Sequence, residues 1–435
     1  MQRKSTSTTP SPNAVVFADP EAEVFAVNKN WLLCHSCGEL QKVVAISAES
    51  EMICCNCNSV LHIGRSKWLG WGLSLAVTSL VLFFLSNAFP FMTLEVGSQS
   101  QTATILDGFW ALFDRNQWLL ASLVLTTVFL FPLFEIFSFL YLLIPYNLNK
   151  KVPGQRIILR WLTQAQDWSM LEVFLLGMLV ASVKLNDMAI LHFEKGAYAF
   201  FILVSVLILA YLKLDRRRLW SWIETNNYFC RDELEWVYDC QVCQAMVGKS
   251  IVESTGQCPR CHAEVHKRIP NSLQKTTALI IAATILYIPA NILPIMTYSS
   301  LGVVETDTIF SGVVELITAE LYWIAIVVFV ASILVPIAKL VVLSYLVWSV
   351  HTKMKTGVRH RQFLYKLTEF VGRWSMVDVF VVTMLVAIVQ FGFVYTVEPE
   401  PAIIAFGAVV VLTMVAAESF DPRLLWDALE NEDTE

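Results

Sequence analysis

The sequence predicts an α-helical polytopic membrane protein made of two parallel repeats, each a small cysteine-bearing domain followed by four transmembrane helices. Three observations predict it: an apolar composition, a series of runs long enough to span a bilayer, and a chain that is written twice. Of 435 residues, 56% are hydrophobic and only 16% charged, with a mean hydropathy of +0.57. A soluble domain typically carries about 25% charged residues, so several helices must face lipid. The formal net charge of −6 argues against a nucleic-acid footprint, which needs clustered surplus Lys and Arg. The composition also excludes a disordered chain and a secreted disulfide scaffold.

Residues 1–30 read as a disordered cytoplasmic tail. The opening MQRKSTSTTPSP is rich in Ser, Thr and Pro and has no apolar run, so it cannot offset its ordering entropy. No signal-peptide core precedes Trp68, so the N-terminus is expected to stay in the cytoplasm. A spanning helix needs roughly 20 mostly apolar residues, and eight segments qualify. In the first half they are Trp68–Phe91, Gln117–Ile144, Trp168–Ile190 and Gly196–Lys213; in the second, Lys275–Tyr298, Tyr322–Val350, Trp374–Thr396 and Pro401–Ser419. The acidic end, Asp427 to Glu435, reads as a second tail, with 429–435 wholly outside the membrane module.

Orientation follows from the basic residues beside the spans, because Lys and Arg accumulate on the cytoplasmic side. The loop after the second span holds Lys150, Lys151, Arg156 and Arg160, and its counterpart holds Lys353, Lys355, Arg359, Arg361, Lys366 and Arg373. The segment joining the halves adds Lys213, Arg216, Arg217, Arg218, Lys267, Arg268 and Lys275. The opposite side has only Arg115 and Lys195, among acids such as Glu95, Asp107, Glu305, Asp307, Glu398 and Glu400. Both termini and both cysteine domains are therefore expected in the cytoplasm. Trp68, Trp71, Trp118, Trp168, Trp323 and Trp374 sit near span ends and fit an interfacial belt.

Residues 31–222 align with 237–428 at an offset of 204 to 206. Asn87-Ala-Phe-Pro-Phe-Met-Thr93 matches Asn291-Ile-Leu-Pro-Ile-Met-Thr297, Pro132 matches Pro336, Trp168-Ser-Met170 matches Trp374-Ser-Met376, and Asp215 through Trp220 matches Asp421 through Trp426. So many paired landmarks in one order mark an internal duplication. The domains expected are a first cysteine domain at 31–66, a membrane module at 67–222, a second cysteine domain at 237–270 and a second module at 271–428. Four spans return the chain to its starting side, so the repeats run parallel. Rocking transporters usually use inverted repeats, which weighs against alternating access between these halves.

Each repeat opens on two CxxC knuckles: Cys34-x2-Cys37-x16-Cys54-x2-Cys57, then Cys240-x2-Cys243-x14-Cys258-x2-Cys261. Two knuckles at this separation suit a tetrahedral four-thiolate zinc ribbon, because each offers two sulfurs to one ion. Cytoplasmic placement disfavours disulfides, although a redox dithiol is the competing reading. One or two structural Zn2+ ions are expected. Cys55 stands beside Cys54 as a possible substitute ligand, and Cys230 lies outside the second set. His35, His62 and His262 read as solvated side chains. A complete four-thiolate set has no open position, so metal catalysis is not implied.

Ionisable groups inside a span are costly and mark a bundle interior or an aqueous cavity. Glu135 and Lys339 occupy equivalent repeat positions near the middle of the second and sixth spans, each three residues after a proline, Pro132 or Pro336. They either approach across the interface between halves or face separate cavities. Lys184 and Asp187 share a helical face in the third span, where the second half has Gln390 and Phe393. Thr413 could meet an interior charge, or simply bond back to its own turn. Glu172 and Asp378 lie one turn into their spans and read as interfacial caps. The polar candidates are thus Lys339, Glu135, Lys184, Asp187 and Thr413, and no catalytic residue is expected. No Gly-rich phosphate loop, HExxH or GxSxG occurs.

Duplicated ribbons, each followed by four spans with an Asn-x-x-Pro-x-Met-Thr end to the first span and a Trp-Ser-Met start to the third, resemble the paraquat-inducible protein A family of Gram-negative inner-membrane proteins. Within it, the chain resembles the lipophilic envelope-spanning tunnel branch. The resemblance implies a membrane partner of a periplasm-crossing MCE-domain tunnel protein, together moving phospholipid or related lipids between the two membranes. The competing function is a zinc- or redox-responsive sensor or assembly scaffold, whose spans merely anchor partners. Charged span centres favour transport, since an anchor needs no Lys339. The chain has no Walker-type motif, so ATP use would require another subunit, while Glu135, Lys184, Asp187 and Lys339 make a proton gradient conceivable.

Overall fold

The computed structural model describes residues 31–34, 36–42, 51–63, 68–96, 99–186, 190–214, 216–223, 237–300, 303–318, 320, 322–388 and 395–430. They divide into two compact units. Residues 1–68 with 220–267 hold both cysteine domains, and residues 69–219 with 268–435 hold the membrane helices.

The first cysteine domain is two antiparallel hairpins, β1 (Trp31–Leu33) with β2 (Leu40–Lys42), and β3 (Glu51–Ile53) with β4 (Val60–Ile63). Helix α1 (Trp68–Ala88) stops before Pro90, whose ring cannot continue a helical ladder. The chain turns into the hairpin β5 (Met92–Val96) and β6 (Gln99–Ala103) and then α2 (Ile105–Asp114), whose first turn is closed by the Thr104 amide donating to Asp107 Oδ2 at 2.6 Å. The second span is one continuous rod in three parts: α3 (Trp118–Val124), a π-helical stretch Leu125–Leu130, and α4 (Phe131–Asn147). Pro132 has no amide hydrogen to donate, and the ladder widens to accommodate it. Helix α5 (Gln155–Ala165) and a 3-10 turn lead to α6 (Leu171–Asn186). Strand β7 (Ile190–Phe193) then pairs back on β5, giving sheet order β6-β5-β7, before α7 (Lys195–Lys213) and α8 (Arg216–Ile223).

The second repeat follows the same plan. After β8 (Val237–Asp239), β9 (Met246–Gly248) and α9 (Lys249–Thr255) come α10 (Ser272–Ile292), the hairpin β10 (Met296–Ser300) and β11 (Val303–Asp307), and α11 (Ile309–Thr318). Then α12 (Tyr322–Phe329), a π-helical stretch Val330–Leu334 and α13 (Val335–His351) form the long rod. Helix α14 (Val358–Gly372), a 3-10 turn, α15 (Val377–Ile388), strand β12 (Tyr395–Pro399) in sheet order β11-β10-β12, α16 (Ala402–Ser419) and α17 (Leu424–Glu430) complete the described chain.

Six described helical segments are long and apolar enough to cross a membrane, where the sequence suggested eight. The third span of each half is described only in part: α6 runs to Asn186 and α15 to Ile388, each up to the first undescribed residue. These two helices differ from the others in burial. Phe174, Met178 and Ala181 of α6, and Val379, Phe380 and Val386 of α15, are fully buried, whereas α1 exposes Trp71, Val77, Val81 and Phe84 along its length. The third helices pack on each other at the centre, with Phe174 and Phe380 ring centroids 5.5 Å apart. A Cβ on Gly177 would stand 2.9 Å from Cβ of Phe380.

Several span ends are strand rather than helix. Met296–Tyr298 belongs to β10, Ile190 to β7 and Tyr395–Thr396 to β12. Pro90 and Pro294 end the first helix of each half, and the freed backbone is satisfied by hairpin partners. The Asn-x-x-Pro-x-Met-Thr motif is therefore a helix-to-sheet junction. Its threonines act alike in both halves: Thr93 Oγ1 donates to Glu194 at 3.1 Å and Thr297 Oγ1 to Glu400 at 2.9 Å. The acidic tail also needs correcting. Helix α17 runs to Glu430, and Asp427 is ion-paired with Arg268. The N-terminal tail, residues 431–435, His35, Asp187, Cys230 and Gln390 with Phe393 lie outside the described residues.

Candidate functional site

The eight knuckle cysteines gather into two four-sulfur clusters, Cys34, Cys37, Cys54, Cys57 and Cys240, Cys243, Cys258, Cys261. All four knuckles have one backbone geometry. The amide of the first cysteine donates to a carbonyl five residues on, at Glu39, Ser59, Ala245 and Ala263, and an amide four residues on donates back to that cysteine's carbonyl. The returning residue is left-handed each time: Gly38, Asn58, Gln244 and His262 have φ of 78°, 57°, 56° and 56°. His262 thus contributes its backbone to a knuckle turn. Only the first of the four carries the glycine that announces such a turn.

Within each cluster every sulfur lies within 4.8 Å of the others. The Cys34–Cys57 and Cys240–Cys261 pairs are 3.5 Å apart, and Cys37–Cys54 and Cys243–Cys258 are 3.6 Å apart. A tetrahedral ion with bonds of about 2.3 Å to thiolate sets sulfurs about 3.8 Å apart, so both clusters fit one metal ion each. Cys55 is exposed and outside the first cluster, where its sulfur accepts from Gln41 Nε2 at 3.1 Å. The same amide donates to Cys54 at 2.9 Å. Cys37, hydrogen-bonded to Cys34, holds the Cys34 thiol down to about 4. Cys240 likewise pushes the Cys243 thiol up, and hydrogen bonds from Cys240, Cys243 and Cys261 hold Cys258 down. Thiolate is the form of cysteine that binds metal.

Inside the membrane unit, Glu135 and Lys339 sit on the first turns after the two π-helical stretches. The bulge does local work: the Met170 amide of the Trp-Ser-Met motif approaches the Thr127 carbonyl at 3.4 Å, so the start of the third helix docks where the ladder opens. Glu135 is fully buried, and among the described residues neither carboxylate oxygen has a hydrogen-bond partner. Tyr211, Ser169, Glu172 and Arg216 are its electrostatic neighbours. Lys339 is 2% exposed and donates to the Gly372 carbonyl at 3.2 Å. Among the described residues no ion pair joins Glu135 to Lys339, and each faces groups of its own half. Thr413 bonds back to Val410 at 2.9 Å. Lys184 lies on α6, and its partner position 187 is among the undescribed residues.

Two of the cavities in this unit are lined by described residues. One, of about 70 Å³, is apolar and set under the β10–β11 hairpin between Met296, Ile309, Val328, Ser332 and Leu385. The other, of about 260 Å³, has Lys339, Lys366, Glu369, Gly372, Met414 and Glu418 among its lining. Sequence reading found Lys339 but not the cavity, which is assembled by α13, α14 and α16 from positions far apart in the chain.

Comparison with known proteins agrees with this architecture. Residues 69–224 and 273–430 each match the family model described as Paraquat-inducible protein A, leaving the cysteine clusters outside the matched repeats. The chain is 32% identical to Intermembrane transport protein PqiA of Escherichia coli (strain K12), over 91% of this chain and 95% of that protein. It is 31% identical to Lipophilic envelope-spanning tunnel protein A of the same organism, over 92% and 91%. A Probable intermembrane transport protein of Haemophilus influenzae is 29% identical over 92% and 95%. The two Escherichia coli proteins match almost equally. No solved structure matches the chain. The relatives are transport proteins, not enzymes.

Proposed function

The chain belongs to the paraquat-inducible protein A family, and from that premise we propose that it is the inner-membrane component of a phospholipid transport system in a Gram-negative envelope. It loads or unloads lipid at a periplasm-spanning MCE-domain partner. Support for the lipid cargo comes from the lipophilic tunnel named in one relative and from the polar centre of the membrane unit. The observation that carries the reading is the pair Glu135 and Lys339. Both are buried at the same register after a π-helical stretch, with opposite charge types and different surroundings. Anchoring helices have no use for such costly groups.

The cysteine domains and both termini lie in the cytoplasm in this reading, which the basic loops support. The two clusters hold structural Zn2+, which fixes the ribbons without catalysing anything, because four thiolates fill the coordination sphere. Glu135, Lys339, Lys184, Asp187 and Thr413 are the polar residues to which lipid movement is coupled, with protons as the coupling ion.

The test is direct. The full chain is reconstituted in phospholipid vesicles, the soluble MCE-domain partner is added outside, and lipid recovered with the partner is measured with and without an imposed proton gradient. Transfer that depends on the chain and drops at least tenfold in Lys339→Ala, at normal protein abundance, is the expected result. Transfer at the protein-free rate would refute the proposal.

A further inference from the structure

The duplicated positions around the two buried charges differ in one respect that decides what each half can hold. In the first half, the residue that neighbours Glu135 from the fourth helix is Tyr211, whose ring stacks edge-on against Phe139 at 5.0 Å. At the repeat offset of 206, its counterpart is Ala417. The missing ring leaves room, and Ala417 lines the 260 Å³ cavity together with Lys339. A single water needs only about 10–15 Å³ measured this way, so the space suits a group of many atoms.

We propose that this cavity, in the second half alone, is a binding site for a phosphate-bearing group, with Lys339 at its floor and Lys366 on its wall. Three features support that chemistry. An ammonium has three N–H donors, and the hydrogen bond that Lys339 makes among the described residues goes to the Gly372 carbonyl, so two donors remain for a ligand. No described carboxylate pairs with Lys339, which is 98% buried; a buried cation of this kind is costly without an anion. Lysine serves phosphate as a point charge. Glu369 and Glu418 are exposed and Lys366 is partly buried, so a headgroup that carries an amine beside its phosphate meets acids at the mouth and cations deeper in. Met414 and Ala417 leave an apolar wall for what is attached to the headgroup.

The inference deepens the lipid-transport reading by assigning the headgroup to one half, and it is tested by binding rather than by transport. Full-length protein in detergent is titrated with dioleoylphosphatidylethanolamine, with dioleoylglycerol, which lacks phosphate, and with inorganic phosphate, and bound species are counted by native mass spectrometry. Phosphatidylethanolamine should bind at least tenfold tighter than dioleoylglycerol. Lys339→Met, which removes the charge, and Ala417→Tyr, which restores the ring of the first half, should each weaken binding tenfold or more. Inorganic phosphate bound with the same dependence, without the lipid, supports the site and assigns it to a free anion. The proposal fails if Lys339→Met binds phosphatidylethanolamine as well as the wild type does, or if dioleoylglycerol competes equally. If it fails while the wild type still delivers lipid to its partner, the transport reading survives the loss of this site.

Discussion

Replacing Gly177 by alanine tests whether the two central helices touch as closely as described. The added Cβ would meet Cβ of Phe380 at 2.9 Å and the Val377 carbonyl at 3.2 Å. The first contact is tighter than carbon atoms tolerate, and neither neighbour is the loose end of a flexible side chain. Phe380 is fully buried and held against Phe174, so α6 and α15 must separate by a few tenths of an ångström. Overpacking of this kind costs about 1–3 kcal/mol, against about 1 kcal/mol gained when alanine replaces glycine in a helix. Gly312 of α11 isolates the second term, because a Cβ there meets nothing within 4 Å. The two variants should therefore differ by the overpacking cost alone. At about 2–4 °C per kcal/mol, Gly177→Ala should melt several degrees below Gly312→Ala in a detergent thermal-unfolding assay run at one scan rate. Equal shifts would refute the close contact.

Three further outcomes follow from the same structure. Cys243→Ser should lower bound zinc from two ions per chain to one, measured by elemental analysis of purified protein; retention of both ions would remove the second cluster as a metal site. Burial alone would raise the Asp421 carboxyl, but the Arg423 guanidinium and the amides of Ile269 and Arg423 hold it below the usual carboxylate range. Its stabilising contribution is then full above the unfolded value of about 3.9 and lost as pH falls through the lower folded value. Asp421→Asn should cost about 3–5 kcal/mol at neutral pH, since it strands buried Arg423, and should flatten the stability profile below pH 5. Thr297→Val removes the hydroxyl donor to Glu400 and should cost about 1.5–3 kcal/mol. Measured stability equal to wild type would mean that this junction bond is made to solvent instead.

Much of the candidate site was legible because it was encoded twice. Eight cysteines at matching spacings fixed the two clusters without any tertiary information, since each knuckle is a local turn closed by its own amides. Pro132 and Pro336 flagged the irregular middle of the long rods, as a missing amide hydrogen must disturb any helix. The positions of Glu135 and Lys339 three residues later were equally visible. What they face was not, because Tyr211 and Ala417 come from a helix more than 70 residues further along the chain.

The surroundings of the third spans were not legible for a related reason. Hydropathy counts apolar residues, but it does not distinguish those facing lipid from those facing protein. The described parts of the third segments bury their side chains against each other, and Gly177 brings the two backbones close. The sequence alone determined the duplication, the membrane class, the four-sulfur clusters and the register of the buried charges, all properties of local pattern. Only the tertiary structure decided which helices are central, that Glu135 and Lys339 stay in their own halves, and that Ala417, where the first repeat has Tyr211, lines a cavity with Lys339. Those outcomes depend on packing between distant segments, and the volume left by one side chain is set by neighbours that the local sequence does not contain.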